Sequence, residues 1–281
     1  MKITVLGASG FIGRHLVSAL QARGDIVTTA SLRDPKIAAA ACDGADVVVN
    51  LAGEPVAQRW SASVKEKIRT SRVDAVRALM MELSSVANKP AAYISASAIG
   101  YYGTSESATF DEASAPGRGF LADVCVAWEA EADRAVALGM RVAKIRTGLV
   151  LGSDGGALAK LLPIFKLGGG GIVASGQQWY SWIHIDDQIG IYLHAIDAAD
   201  GVLDATAPTP VRNAEFTSAL AKALHRPAFL PVPGFAMNLI FGEGAVVVVD
   251  GQCVLPRRTI ATGYSFKYPT IDSACAAIAA A

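Results

Sequence analysis

Three glycines near the start of the chain, Gly7, Gly10 and Gly13, are spaced G-x-x-G-x-x-G and give the sequence its clearest chemical signal. Residues without side chains permit a tight turn and let backbone N–H groups approach a pyrophosphate at a helix N-terminus. Ser9, Phe11 and Ile12 share that turn and are read as contacts of the same dinucleotide. A purely structural glycine turn is the alternative. About 20 positions past Gly13, an acidic residue would bond the adenine ribose hydroxyl and a basic one would accommodate a 2′-phosphate. Ser31 and Arg33 stand there, and Arg33 predicts NADP(H) rather than NAD(H). Asp34 competes, but it precedes Pro35 and starts a turn. Further along, Ser95, Ser97, Tyr101 and Tyr102 gather hydroxyls on one short stretch. Ser97 is the candidate to orient a carbonyl or hydroxyl, and Tyr101 to exchange a proton, unless the tyrosine rings serve only as packing.

These groups need elements to hold them. Lys2 to Leu6 is short and β-branched, and Phe11, Ile12, Leu16, Val17 and Leu20 then fall at helical spacing, so a strand hands directly to a helix. Asp25 to Ala30 reads as a second strand and Lys36 to Asp43 as a short helix. The run Ala45 to Leu51 is apolar throughout, as a central parallel strand covered on both faces must be. It opens into Leu51, Ala52, Gly53 and Glu54, which would lie beyond the strand's carboxyl end, under the cofactor's adenosine and phosphates; Glu54 is also an acid/base candidate. Ser61 caps a helix to about Ser71, continued by Val73 to Val86; Ala92 to Ser97 and Arg141 to Thr147 are strands flanking a helix over Phe120 to Leu138. The alternation predicts an α/β fold, a doubly wound, mainly parallel sheet with right-handed crossovers.

Past Gly152 the pattern changes. Gly155 to Phe165 is a helix, and Gly168 to Gly171 lie in a glycine-rich stretch that no P-loop Lys-Ser/Thr pair follows, so it reads as a mobile lid rather than a phosphate cradle. Ser181 to Asp187 precedes a helix capped by Asp186 or Asp187, with His184 in a structural hydrogen bond; Gly201 to Thr206 is a strand, and Asn213 caps a helix over Ala214 to Leu224. The chain thus divides into a nucleotide-binding domain over 1–152, to which 181–206 return, and a smaller C-terminal substrate lobe formed by 153–180 and 207–281.

Apolar residues make up 52% of 281, enough for a large core, and 25 basic residues balance 25 acidic ones, so no electrostatic field favours nucleic acid or an anionic membrane. A small-molecule substrate is the expected partner. Cys42, Cys125, Cys253 and Cys275 form no C-x-x-C pair, and the four histidines show no metal-ligand spacing, which predicts reduced thiols, no metal and a cytoplasmic protein.

The segments LGASGFIG, NLAG, SASA and SWIHIDD, in that order, resemble the extended short-chain dehydrogenase/reductases, which include nucleotide-sugar epimerases and dehydratases. More closely, NLAGEPV, SASAIGYYG, WEAEA, RTGLVLG, LPIFKLGGGG, SWIHIDD, NAEFTSALAKALHRP and VLPRR are similar to an atypical epimerase-family subgroup over nearly the full chain. The resemblance implies a Rossmann-type sheet, an NADP(H) site, a separate substrate lobe and a possible homodimer. It also implies a departure. The larger superfamily pairs Ser with Y-x-x-x-K, whereas here Leu121 takes the Tyr position, Cys125 the Lys position and Arg72 that of the usual Asn. Leucine cannot titrate, and a thiol with a pKa of about 8.5 carries no permanent positive charge. Cys125 is expected to fill the vacated space and touch the nicotinamide ribose, with a redox thiol as alternative, and Arg72 to hydrogen-bond the same region. The function expected is an NADP(H)-dependent oxidoreductase or epimerase-like enzyme of a small carbonyl or sugar-like metabolite. The alternative is a non-catalytic NADP(H)-binding module that senses redox state.

Overall fold

In a computed structural model describing residues 1–281, the centre is a six-stranded sheet. Its strands are β1 (Lys2–Leu6), β2 (Ile26–Ala30), β3 (Val47–Asn50), β4 (Ala92–Ala98), β5 (Arg141–Thr147) and β6 (Gly201–Ala205). All pairings are parallel, in the order β6-β5-β4-β3-β1-β2. The helices are α1 (Phe11–Ala22), α2 (Pro35–Cys42), α3 (Ala62–Thr70), α4 (Val73–Ser84), α5 (Phe120–Ala137), α6 (Gly156–Lys166), α7 (Ile185–Asp197), α8 (Asn213–Ala223), α9 (Gly234–Phe241) and α10 (Ile271–Ala280), with shorter turns between. None is long and apolar enough to cross a membrane.

Period-2 alternation sorts the strand side chains between two layers. Ile3, Val5, Val47, Val49 and Ile94 pack with Leu16 and Leu20 of α1 and with Ile189, Tyr192 and Ile196 of α7. Leu6, Val48 and Tyr93 face the other way, onto Cys42 of α2, Leu79 and Leu83 of α4, and Trp128 and Ala132 of α5. Each such fully buried aliphatic contributes about 1.5–3 kcal/mol, so the sheet with its two helix layers is the main source of stability. β3 is buried on both faces, which is why its sequence runs apolar without alternation. A third core lies apart from the sheet, where Leu158, Leu162 and Phe165 of α6 meet Trp182 from the segment before α7, Phe216 and Leu220 of α8, and Cys275 and Ile278 of α10. This core holds α6, α8 and α10 together and takes in Leu151 and Trp182 from the part expected to bind nucleotide.

Several helix ends differ from expectation. Asp34 caps α2, its carboxylate accepting the Lys36 and Ile37 amides, with Pro35 at the first helical position. α8 begins at Asn213 rather than after it: Glu215 accepts the Arg212 amide at 2.7 Å, and the Asn213 side chain is drawn away to accept the Val173 amide at 2.9 Å. The expected lid at Gly168 to Gly171 is instead tied down. Leu230 donates to the Gly170 carbonyl, and a Cβ at Gly171 would lie 1.5 Å from the Leu230 carbonyl oxygen, so glycine serves a close backbone crossing there.

The cap of α7 is His184, not Asp186 or Asp187: its Nδ1 accepts the Asp186 amide at 3.1 Å. Asp187 is committed elsewhere, accepting from the Tyr264 hydroxyl and the Lys267 and Tyr268 amides. Only unprotonated Nδ1 can accept, and burial lowers the His184 pKa, outweighing the neighbouring Asp186 and Asp187 carboxylates. A folded-state value below the unfolded one means that the unfolded chain takes up the proton first. Stability from this residue is therefore complete above about pH 6.5 and falls as the solution is acidified from there. Denaturant titrations between pH 7.5 and pH 5 are expected to lose about 1 kcal/mol through this cap. His184→Asn, which caps without titrating, should remove that part of the slope, and an unchanged slope would refute the assignment.

Candidate functional site

Leaving β1, the chain crosses to β2 on one side of the sheet, while β3 lies on the other. Ligands of doubly wound sheets sit at the carboxyl ends of the strands where the order reverses in this way. The glycine turn and the segment after β3 meet at that point. Gly7 has φ +82°, and a Cβ on it would lie 2.8 Å from the Ala52 nitrogen; a Cβ on Gly13 would lie 2.4 Å from the Gly7 carbonyl oxygen. Both are needed for close packing. Ser9 and Gly10 are exposed at the mouth. Helix α1 has no side-chain cap and no acidic residue in its first turn, and the amides of Phe11, Ile12 and Gly13 donate to nothing in the chain. Such an N-terminus is suited to an anion.

The Phe11 side chain turns away from the amides. Its ring fills the space over Gly152, Gly155 and Gly156, where a Cβ on Gly155 would fall 2.1 Å from a ring carbon. It meets His15 edge-on at 5.4 Å, and His15 reaches Asp154 at 3.0 Å. The entrance of the lobe is thus locked to the first turn of α1.

Beyond the ends of β2 and β3 lies a cavity of about 400 Å³ lined by Leu32, Arg33, Glu54, Lys67, Ser71 and Asp74. Arg33 and Ser31 are exposed, and the Arg33 amide donates to the Ser31 hydroxyl at 3.3 Å. Lys67 of α3 brings a second cation to the same cavity. Sequence reading missed it, because only the fold brings that helix face over the end of β2. Glu54 lines this cavity too, with its carboxylate accepting from Gln58 at 3.1 Å. That placement corrects its candidacy as an acid/base group, which belongs at the end of β4. Asn50 holds the turn by accepting the Ala52 amide at 3.0 Å. Arg72 braces it from behind: its guanidinium donates to the Glu54 and Ile68 carbonyls, lies over the Trp128 ring, and would be 2.9 Å from a Cβ on Gly53. Arg72 is therefore first a strut of the Leu51–Glu54 turn.

At the end of β4 the geometry overturns one expectation. Ser97 is 3% exposed, and its hydroxyl donates to Glu129 at 2.6 Å. It serves a buried network rather than presenting a free donor to substrate. Cys125 is 4% exposed, and burial together with the Glu129 charge pushes its thiol up to about 12. The side chain fills the space vacated by lysine, as expected, and its burial leaves no exposed thiol for redox chemistry. Gly100 closes over both vacated positions, where its Cβ would meet Leu121 at 3.3 Å and the Cys125 sulfur at 3.9 Å.

The network behind Ser97 is extensive. Arg146 of β5 donates two hydrogen bonds to Glu129, both at 2.8 Å, and a third to the Tyr102 hydroxyl at 3.0 Å; Tyr102 donates to Asp204 of β6 at 2.8 Å. Burial works against the Arg146 charge, but Glu129 more than offsets it and raises the pKa. Burial, then the Glu112 charge, lift Asp204 well above the usual carboxylate range, and burial and Asp204 raise Tyr102. Tyr102 is 2% exposed and structural. Tyr101 differs: it is only half-buried, its ring lies 3.3 Å from the Arg146 guanidinium carbon, and its hydroxyl has no partner in the chain. The turn carrying both, Ile99–Tyr102, is anchored by Gln252, which donates to the Ile99 carbonyl at 2.8 Å.

A parallel sheet with glycines at its reversal point and a helical lobe beside it defines the doubly wound dinucleotide-fold class. The NAD dependent epimerase/dehydratase family model matches residues 3–206, and a domain of unknown function (DUF1731) matches residues 232–278. The chain belongs to the NAD dependent epimerase/dehydratase family. It is 42% identical over 99% of its length to the epimerase family protein SDR39U1 homolog, chloroplastic, of Arabidopsis thaliana, covering 86% of that protein. It is 37% identical to epimerase family protein SDR39U1 of Homo sapiens, over 100% of both chains. A crystal structure of human SDR39U1 (isoform2) with NADPH superposes with a TM-score of 0.92 at 35% identity, over 100% of this chain and 99% of that one.

Proposed function

We propose that the protein binds NADP(H) along the β1/β3 crevice and acts as an oxidoreductase or epimerase-like enzyme on a small carbonyl or sugar-like metabolite. The observation that carries this reading is the placement of the bare α1 N-terminus and the Arg33 cavity at the same carboxyl edge of the sheet, after β1 and β2. The amides of the Gly7–Gly13 loop would hold the diphosphate, with Ser9 at its rim. Arg33, Ser31 and Lys67 would take the 2′-phosphate, while Leu51, Ala52 and Gly53 would lie beneath the adenosine. The SDR39U1 structure with NADPH supports that choice. When bound, the nicotinamide supplies or accepts a hydride. The partner proton is exchanged by Tyr101, the phenol just past the end of β4 that remains half-open and unpartnered, its ring held against the Arg146 guanidinium. Cofactor fluorescence titrations test the reading: NADPH is expected to bind and NADH far more weakly, and equal binding of both would overturn the NADP assignment.

A second reading, a non-catalytic module whose NADP(H) occupancy signals redox state, draws support from Leu121, the covered Cys125 and the committed Ser97. It requires a partner whose affinity differs between the free and NADPH-bound protein.

A further inference from the structure

Helix α9 buries none of its side chains, although its sequence, GFAMNLIF, is apolar almost all round. Phe235 is 74% exposed, Leu239 73% and Ile240 55%. A helix of that composition is normally covered. Backbone groups hold it in place: the Trp60 amide donates to the Phe241 carbonyl, and the Arg59 guanidinium donates to the Leu239 carbonyl. Its two ends are fixed as well. Before it, Val232 donates to Ile172 in the glycine-rich stretch; after it, Gln252 reaches Ile99 beside Tyr101. The segment from Leu230 to Gln252 therefore runs from the glycine-rich stretch past the loop after β3 and back to the turn after β4 that carries Tyr101.

This segment and the stretch it meets carry almost no positive charge. No lysine or arginine occurs from Leu167 through Val211 or from Pro227 through Pro256. The nearby cations are engaged: Arg212 stacks on Trp179 at 3.7 Å and donates to the Glu106 carbonyl, Lys65 pairs with Glu243 at 2.8 Å, and Arg146 is buried against Glu129. Arg118, exposed before α5, and Lys166, at the far end of the glycine-rich stretch, have no partner. A nucleoside-diphosphate substrate would bring two charged phosphates against a wall without counter-ions, whereas an apolar body would cover α9 at a gain.

We infer that the substrate cleft takes an uncharged carbonyl compound with an apolar body, seated against Phe235 and Leu239 of α9, and not a nucleotide sugar. This deepens the reading above and rests on it for the position of the cofactor.

The test uses the full chain saturated with NADPH, with methyl naphthyl ketone as the apolar probe and UDP-glucose as the charged one, both followed by calorimetry. The ketone is expected to bind and UDP-glucose not. The double variant Phe235→Ser/Leu239→Ser should weaken the ketone by about tenfold or more, leaving NADPH affinity unchanged. UDP-glucose binding that is lost in Arg118→Ala would overturn the inference. So would ketone affinity unmoved by the double variant, or a dimer that the double variant dissolves while the ketone still binds, since α9 would then be covered by a second copy. NADPH titration of the same samples separates the two levels. Ketone bound without NADPH sinks the cofactor reading alone, and NADPH bound with UDP-glucose preferred sinks only the cleft assignment.

Discussion

Glu129→Ala is expected to cost the fold about 3–5 kcal/mol, the typical effect of leaving one member of a buried ion pair without its partner. Arg146 is 3% exposed and Glu129 6%, so water cannot replace the lost carboxylate. Ser97 loses its acceptor in the same variant. Urea unfolding of wild type and variant measures the difference. Glu129→Leu combined with Arg146→Met should recover much of the loss, because an apolar pair of similar volume removes the stranded charge. A Glu129→Ala protein within 1 kcal/mol of wild type would show that the guanidinium is not held by this carboxylate.

Arg33→Ala is expected to weaken NADPH by roughly 10- to 100-fold while leaving NADH nearly unchanged, the loss of one charge-assisted phosphate contact. Lys67→Ala should act in the same direction by less, because a flexible ammonium is a point charge without the bidentate fork of Arg. Arg33 is exposed, so raising the salt concentration should narrow the gap between wild type and variant. Isothermal titration of both cofactors against each protein provides the numbers. Equal losses of NADPH and NADH in Arg33→Ala would mean that the side chain shapes the cavity rather than reading the phosphate.

The sheet was legible in the chain because its signals are local. Glycine spacing, the unbroken apolar run of β3 and the alternation of strand and helix each follow from a few neighbouring residues, and β1 and β5 fall at their expected bounds. Details settled by distant partners were not legible. Ser97 stands at the strand end where a substrate-binding hydroxyl belongs, yet it is taken by Glu129, 32 positions away on α5, which is itself held by Arg146. His184 won the cap of α7 because Asp187 is claimed by residues from Tyr264 to Tyr268, and Asp186 by Lys267. Lys67 joined Arg33 only through the packing of α3 beside the end of β2. Gly168 to Gly171 looked free because composition cannot show that the Leu230 backbone presses against them.

Positions 11 and 155 cannot drift independently. With the Phe11 ring occupying the volume where the side chain of residue 155 would begin, enlarging one demands shrinking the other. An alanine introduced at 155 alone should therefore pry the lobe's doorway off the first turn of α1, and a simultaneous reduction of Phe11 should let it settle back.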